Sequence, residues 1–254
     1  GWGASGRNGG QVSQGQRLDQ DELEKIVGFD QAKTLFQMSL DAVSAVKQNI
    51  LNYEIDCDWQ DGFIRANTSK RQANAALKYA NHLKDRYDFE YVNFLDQAQM
   101  ADQVSSDVYH GGLHLPHSGH IHPLKYAIGL AKAALKKGVR IYEQTKLLRY
   151  SEDVGIRINT DQSCIHAKHL IFCCNGYHND VNAQISKYVM PINNYIVTTE
   201  VLGEETTRNL IKHNVAIADD RFVVNYYRCT RDHRLLFGGG ETYSYKFPAD
   251  IKSF

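Results

Sequence analysis

The sequence has no excess of charge of either sign, because Lys+Arg and Asp+Glu each number 29 in 254 residues. General nucleic-acid and membrane-surface binders carry a basic excess, so neither partner is expected. Cysteine is scarce and odd in number: Cys57, Cys164, Cys173, Cys174 and Cys229, with no CxxC pair. That argues against a disulfide framework or a Cys-type zinc site, and for a reducing compartment such as the cytoplasm. No apolar run is long enough to span a bilayer. No charged-then-apolar signal pattern opens the chain. Internal repeats and low-complexity tracts are missing. So are a GxGxxG fingerprint, a phosphate-binding GxxxxGKS/T loop and an HExxH helix. The chain opens on Gly1 rather than Met and closes on Asp250-Ile251-Lys252-Ser253-Phe254 with no obvious stop, so a fragment of a longer protein is expected.

What remains is an ordinary globular balance, 43% hydrophobic and 23% charged, enough for one large domain or two small ones. Residues 1–16 are rich in Gly, Ser, Asn and Gln and are expected to form a loop without regular structure. A helix is expected over 31–51, capped by Asp30, with Leu35, Ser39, Ala42, Val46 and Ile50 on one face. A second is expected over 69–86, with Ala73, Leu77, Ala80 and Leu83 as its stripe. Pro123 opens a third helix and Gly138 closes it. Strands are expected over 53–65, 108–115, 139–142, 195–200, 222–228 and 235–237. A small β-meander is expected over 147–174. Its last strand, 169–174, contains the unbroken apolar run Leu170-Ile171-Phe172-Cys173-Cys174 and suits a buried parallel strand. Cys173 and Cys174 are accordingly expected to be buried packing rather than nucleophiles.

Three constellations can carry chemistry. Gly3-Ala4-Ser5-Gly6-Arg7-Asn8-Gly9-Gly10-Gln11 frees the backbone for positive φ and can aim N–H groups at an anion or a polar ring edge. A flexible end is the alternative. The histidines at 110, 114, 117, 120 and 122 are spaced so that some could converge on zinc, or they line a structured polar loop with His122 at a helix N-cap. On a strand, Tyr226 and Arg228 share one face. They can offer a hydroxyl and a guanidinium to a carboxylate, or simply form an amphipathic edge.

The opening string, with Gly1 and Trp2 before it, resembles a loop of FAD-dependent oxidases of the D-amino-acid oxidase superfamily. Within it, the likeness is to the branch that oxidises gamma-glutamylputrescine-like amines. Ile55-Asp56-Cys57-Asp58, Ser118-Gly119-His120-Ile121-His122-Pro123-Leu124, Met190-Pro191, Tyr226-Tyr227-Arg228 and Arg234-Leu235-Leu236-Phe237-Gly238-Gly239-Gly240 carry the resemblance onward in order. It implies an α/β fold of mixed α+β character. A partial FAD-binding Rossmann-like domain (1–52 and 122–182) would be interleaved with a mixed or antiparallel substrate-binding sheet (53–121 and 183–254). It implies FAD contacts from Ser5, Gly6, Arg7, Asn8, Gly9, Gly10 and Gln11, and from Leu147, Cys174, Asn175 and Gly176. His122, Tyr226 and Arg228 would face the substrate. No side chain stands out as a general base, and no metal is expected. The family's GxGxxG segment and its closing Gly-rich segment are not in this sequence, so the chain alone is expected to hold FAD weakly or not at all. The resemblance further implies a small-molecule amine and oxygen as reactants, with an aldehyde and hydrogen peroxide as products. The alternatives are another oxidase or dehydrogenase of the superfamily acting on amino acids, a metal-dependent hydrolase built on the histidines, and an inactive binding module.

Overall fold

The computed structural model describes residues 3–152, 155–177, 181–190 and 192–242. Gly1, Trp2, Pro191 and residues 243–254 lie outside the described residues. The chain forms two compact units, Gly1–Ala133 with Asn194–Gly240, and Ala134–Asn193 with Glu241–Phe254. These bounds are not those of the expected cofactor and substrate segments.

In the first unit a short 3-10 turn, Ala4–Gly6, precedes β1 (Gln11–Val12). The opening stretch is therefore not free of regular structure, because Gln11 and Val12 find partners in a neighbouring strand. Then come α1 (Gln20–Val27), α2 (Phe29–Asn52), β2 (Gln60–Asn67), α3 (Lys70–Tyr87), β3 (Asn93–Asp96), α4 (Gln97–Gln103), β4 (Gly111–His120) and α5 (Pro123–Lys136), which ends in the second unit. The second unit holds β5 (Leu147–Ser151), β6 (Ile156–Thr160), β7 (Cys164–Ala167) and α6 (Ala183–Ser186). The chain continues with β8 (Asn193–Thr198), α7 (Glu204–Leu210), β9 (Ala216–Asp219), β10 (Tyr226–Cys229) and β11 (Leu235–Thr242).

Eight strands make one sheet in the order β1-β4-β2-β9-β10-β11-β8, with β3 sharing the β4 edge with β1. The β2–β9 pairing is parallel, while β2–β4, β9–β10 and β10–β11 are antiparallel, so the sheet is mixed. One face packs Ile64, Ile217, Tyr227 and Cys229 against Met100 and Ile211. Elsewhere Leu113 of β4 packs with Phe36 of α2 and Ala80 and Leu83 of α3. The buried stripe of α2 is Ala32, Phe36, Ser39 and Val43, one position round from the expected face. In α3, Ser69 is the N-cap as its hydroxyl accepts from Gln72 N, and Leu77 lies outside the stripe, 41% exposed.

β4 runs five residues past the expected end at 115, through Pro116. Proline lacks the N–H a ladder needs. A register shift between Asp61 and Phe63 of β2 absorbs this, with Gly62 at φ +100°. His114, His117 and His120 consequently sit on a strand, not along a loop.

In the second unit β5, β6 and β7 form the meander as an antiparallel sheet, but its third strand is Cys164–Ala167. Neither 139–142 nor 169–174 is a strand. β-type composition makes a strand only where a neighbour accepts its hydrogen bonds, and neither segment pairs among the described residues. Val139, Ile141 and Ile171 are exposed in consequence, and Cys173 is exposed rather than buried.

Candidate functional site

The glycine loop is organised from within by Asn8. Its side-chain amide donates to Ala4 O (3.0 Å) and Ser5 O (3.2 Å), while its Oδ1 accepts from Gly10 N (2.9 Å). Gly10 adopts φ +81° and its carbonyl accepts from Ile121 N at 2.9 Å. Gln11 and Val12 then pair with His120 and Gly119, stitching the loop to the end of β4. Ser5, Arg7 and Asn8 stay exposed, Gly6 is half-buried, and Gly9 and Gly10 are buried. A Cβ on Gly9 would lie 2.6 Å from Tyr226 Cε2, and one on Gly10 would run into the Ile121 carbonyl. Both positions need glycine for close approach.

Strand register explains what meets the loop. Arg65, Ala218 and Tyr226 form one row across β2, β9 and β10. Arg228, two residues on, shares their face. Its Nε donates to Gly9 O at 2.7 Å, and the residue is only 4% exposed. Desolvation pushes its pKa down. Tyr226 Oη donates to Asn194 Oδ1 at 2.5 Å. The structure thus brings Gly9, Gly10 and Gln11 together with Tyr226 and Arg228. His122 caps α5: its N–H donates to Cys57 O (2.7 Å), and its Nδ1 and carbonyl face Lys125 N and Tyr126 N. Leu147, Cys174, Asn175 and Gly176 belong to the second unit. Leu147 opens β5, and the other three form a turn closed by Tyr177 N donating to Cys174 O, with Asn175 at φ +51°.

Two cavities accompany the loop in the first unit. One of about 340 Å³ is lined by residues 13–20 and by the apolar side chains Phe63, Leu113 and Leu115. Arg65 forks onto Asp19 there at 2.5 and 3.0 Å, and Tyr79 Oη accepts from Gln20 N. Burial works against the Arg65 charge, but Asp19 outweighs it and holds its pKa up. Burial also raises that of Tyr79. The second cavity, about 400 Å³, is lined by Asp58, His120, Asn214, Arg228 and Arg231 among others. Asp19, Arg65 and Asp58 were not anticipated as site residues. Asp58 belongs to the motif Ile55-Asp56-Cys57-Asp58, whereas nothing in the local pattern marks Arg65. Among the described residues no group of three His, Cys, Asp or Glu side chains could share a metal ion. No helix of the described residues is long and apolar enough to cross a membrane.

A family model described as FAD dependent oxidoreductase (DAO) matches residues 1–253. The chain belongs to that family. It is 36% identical over 254 residues to gamma-glutamylputrescine oxidoreductase of Escherichia coli, covering 99% of this chain and 59% of that protein. It is 32% identical to the probable oxidoreductase OrdL of Haemophilus influenzae, covering 94% and 56%. The chain therefore spans less than three-fifths of the length of these curated relatives. Among solved structures, L-proline dehydrogenase from P. horikoshii matches with a TM-score of 0.73 at 15% identity, over 97% of this chain and 63% of that one. Glycine oxidase from Geobacillus kaustophilus matches at 0.69 and 17%, over 95% and 62%. These structural likenesses support the mixed α/β fold.

FAD is the cofactor of this family, and the loop suits it. Gln11 Nε2 is buried without a partner among the described residues, next to the buried Gly9 and Gly10. An orphaned donor beside a glycine backbone matches the acceptor-rich edge of a flavin or a pyrophosphate.

Proposed function

We propose that the full-length protein is an FAD-dependent oxidase of a gamma-glutamylputrescine-like primary amine. The observation that carries this reading is the buried Arg228 guanidinium seated on Gly9 of the glycine loop, in a member of this family. FAD, when bound, would supply the redox chemistry: loss of a hydride equivalent from the amine carbon and a proton from its nitrogen gives the imine, and those two electrons and two protons reduce oxygen to hydrogen peroxide. The resulting imine is hydrolysed to an aldehyde.

On this reading residues 5–11 hold the cofactor with Leu147, Cys174, Asn175 and Gly176. His122, Tyr226 and Arg228 serve the substrate side. The cofactor segments are then 1–52 and 122–182, and the substrate segments 53–121 and 183–254. Within the chain the task of the protein is to bind, orient and exclude water. The rigid stitching of Gly10 to Ile121, and of Gly9 to Arg228, fixes the loop relative to the sheet. The apolar lining of the 340 Å³ cavity suits a methylene chain. Five free thiols support the reading that the enzyme works in a reducing compartment such as the cytoplasm.

The test is the visible spectrum of the purified full-length protein. Flavin bands should be present, should bleach anaerobically with gamma-glutamylputrescine, and should return in air with release of peroxide. A well-folded protein without flavin, or bands unchanged by a panel of amines and amino acids, refutes the reading.

A further inference from the structure

The 400 Å³ cavity has a wall whose charges do not balance. Asp58 accepts two bonds from Lys125 Nζ (2.8 and 2.9 Å) and one from Arg231 Nη1 (3.1 Å), and Arg231 also reaches Asp56 at 3.5 Å. Those two carboxylates and two cations neutralise one another. Arg228 is left over. Among the described residues its guanidinium makes one hydrogen bond, to the neutral Gly9 carbonyl, and Asp58 acts on it only from beyond ion-pair distance. A guanidinium has five N–H donors, so most of its donor capacity is unspent. Burying such a charge without a partner is costly.

The same wall carries bare acceptors. His120 is 2% exposed and its Nε2 lies 2.7 Å from Asn214 O. A carbonyl only accepts, so Nε2 carries the proton and Nδ1 is a lone pair. Nδ1 is buried with no partner among the described residues, and the Asn214 side-chain oxygen is in the same position. Burial pushes the His120 pKa down to about 4, so the ring stays neutral at ordinary pH.

A buried cation beside two bare acceptors narrows the ligand. Water satisfies the acceptors but leaves the charge of Arg228 unmatched. A phosphodiester matches the charge but has no O–H to donate, so it sets oxygen lone pairs against those of His120 and Asn214. A simple ammonium group suits the acceptors but is repelled by Arg228. A group with an anion and a donor side by side suits all three.

We propose that this cavity receives an α-amino-acid head, its carboxylate on Arg228 and its ammonium on His120 Nδ1 and the Asn214 side-chain oxygen. The amine substrate is then one that carries such a head at the end remote from the C–N bond that reacts. This rests on the amine-oxidase reading above and assigns residues to the remote end of that substrate. Bare diamines, which lack the head, are discriminated against.

The test uses the full-length holoenzyme and unreactive ligands followed by the flavin difference spectrum and by calorimetry. γ-Glutamyl-n-butylamide carries the head but no terminal amine, and glutaryl-n-butylamide lacks only the ammonium. The wild type should bind the first at least tenfold more tightly than the second. Arg228→Met should weaken the first at least 100-fold, with partial rescue in Arg228→Lys. His120→Phe should bring the two ligands to within about threefold of each other. Equal wild-type affinity for both ligands overturns the proposal, whatever the variants do. So does an Arg228→Met enzyme that sheds its flavin yet keeps its affinity for the head, since Arg228 would then serve the cofactor. Turnover separates the two readings. Equal kcat/KM for putrescine and gamma-glutamylputrescine sinks the head site and leaves the oxidase. Absence of flavin reduction by any amine sinks both.

Discussion

Gly10 and Gly15 allow the loop architecture to be tested by one methyl group at a time. Both have positive φ, +81° and +105°, so alanine is strained at either. Forcing an L-residue into this backbone region costs about 1–2 kcal/mol. At Gly15 nothing lies within 4 Å of an added Cβ, so Gly15→Ala should cost that and no more. At Gly10 the methyl group meets the Ile121 carbonyl, which is backbone and cannot rotate away, and then Pro123 Cδ at 3.3 Å. Relief requires moving the segment whose N–H bonds Gly10 O and whose neighbours, Gly119 and His120, pair with β1. Overpacking of this kind adds about 1–3 kcal/mol, so Gly10→Ala should total about 2–5 kcal/mol. Urea unfolding of the full-length protein measures the difference, with flavin release followed in parallel. Gly10→Ala should be at least about 1 kcal/mol worse than Gly15→Ala and should bind FAD at least about tenfold more weakly, an effect of about 1.4 kcal/mol. Equal losses at the two sites would show that the loop does not depend on its seat against Ile121.

Two further perturbations follow from single side chains. Glu24 of α1 accepts from His82 (2.8 Å), Tyr87 (3.0 Å) and Arg86 (3.2 Å) of α3. Desolvation raises its pKa, but those bonds and charges outweigh it and leave it lowered. Its contribution is therefore present above the ordinary Glu range and is lost as pH falls through the folded value. Glu24→Gln should destabilise by about 1–2 kcal/mol at pH 7 and flatten the stability profile below pH 4.5, measured by denaturant unfolding at each pH. His120 shows the opposite shift for a base: burial, aided by Arg228 and opposed by the Asn214 bond, takes it from 6.5 to about 4. The unfolded chain binds the proton first, so this stability is complete above about pH 6.5 and drains away towards pH 4, about 3 kcal/mol in all. His120→Phe should remove that slope, and an unchanged slope would mean the ring is not held neutral.

Much of the fold was legible, and the failures have physical causes. Pro123 and Gly138 bracketed α5 closely because both act locally. α1 escaped notice although Asp19 and Glu22 form its capping box, a D-x-x-E signal open to reading. β9 is only four residues, Ala-Ile-Ala-Asp, too short for any period to show, yet it lies at the centre of the sheet and joins β2 in parallel. The runs 139–142 and 169–174 failed in the other direction. Their composition is that of strands, but a ladder partner is a tertiary property, and no strand among the described residues pairs with them. Of the site, the glycine loop and the shared face of Tyr226 and Arg228 could be read from composition and alternation. The partners could not: Gly9 and Arg228 are 219 positions apart, and Asn67 donates to Asp220 across 153.

What alternation cannot show is which polar groups are left unmatched. Seen in sequence, Arg228 is one of 29 cations and His120 one of several histidines. Only burial and the partners in space reveal that, among the described residues, the first is a charge without an ion pair and the second a lone pair without a donor. A fold that keeps both in one cavity gives up stability, since an unpaired buried ion costs several kcal/mol even after relaxation. A ligand that brings a carboxylate and an ammonium together recovers that free energy on binding. A molecule missing either group recovers only part of it, because it leaves one partner still bare. Discrimination at this cavity therefore follows from the defect itself. Replacing Arg228 with an apolar side chain should cost far more in ligand selectivity than in stability.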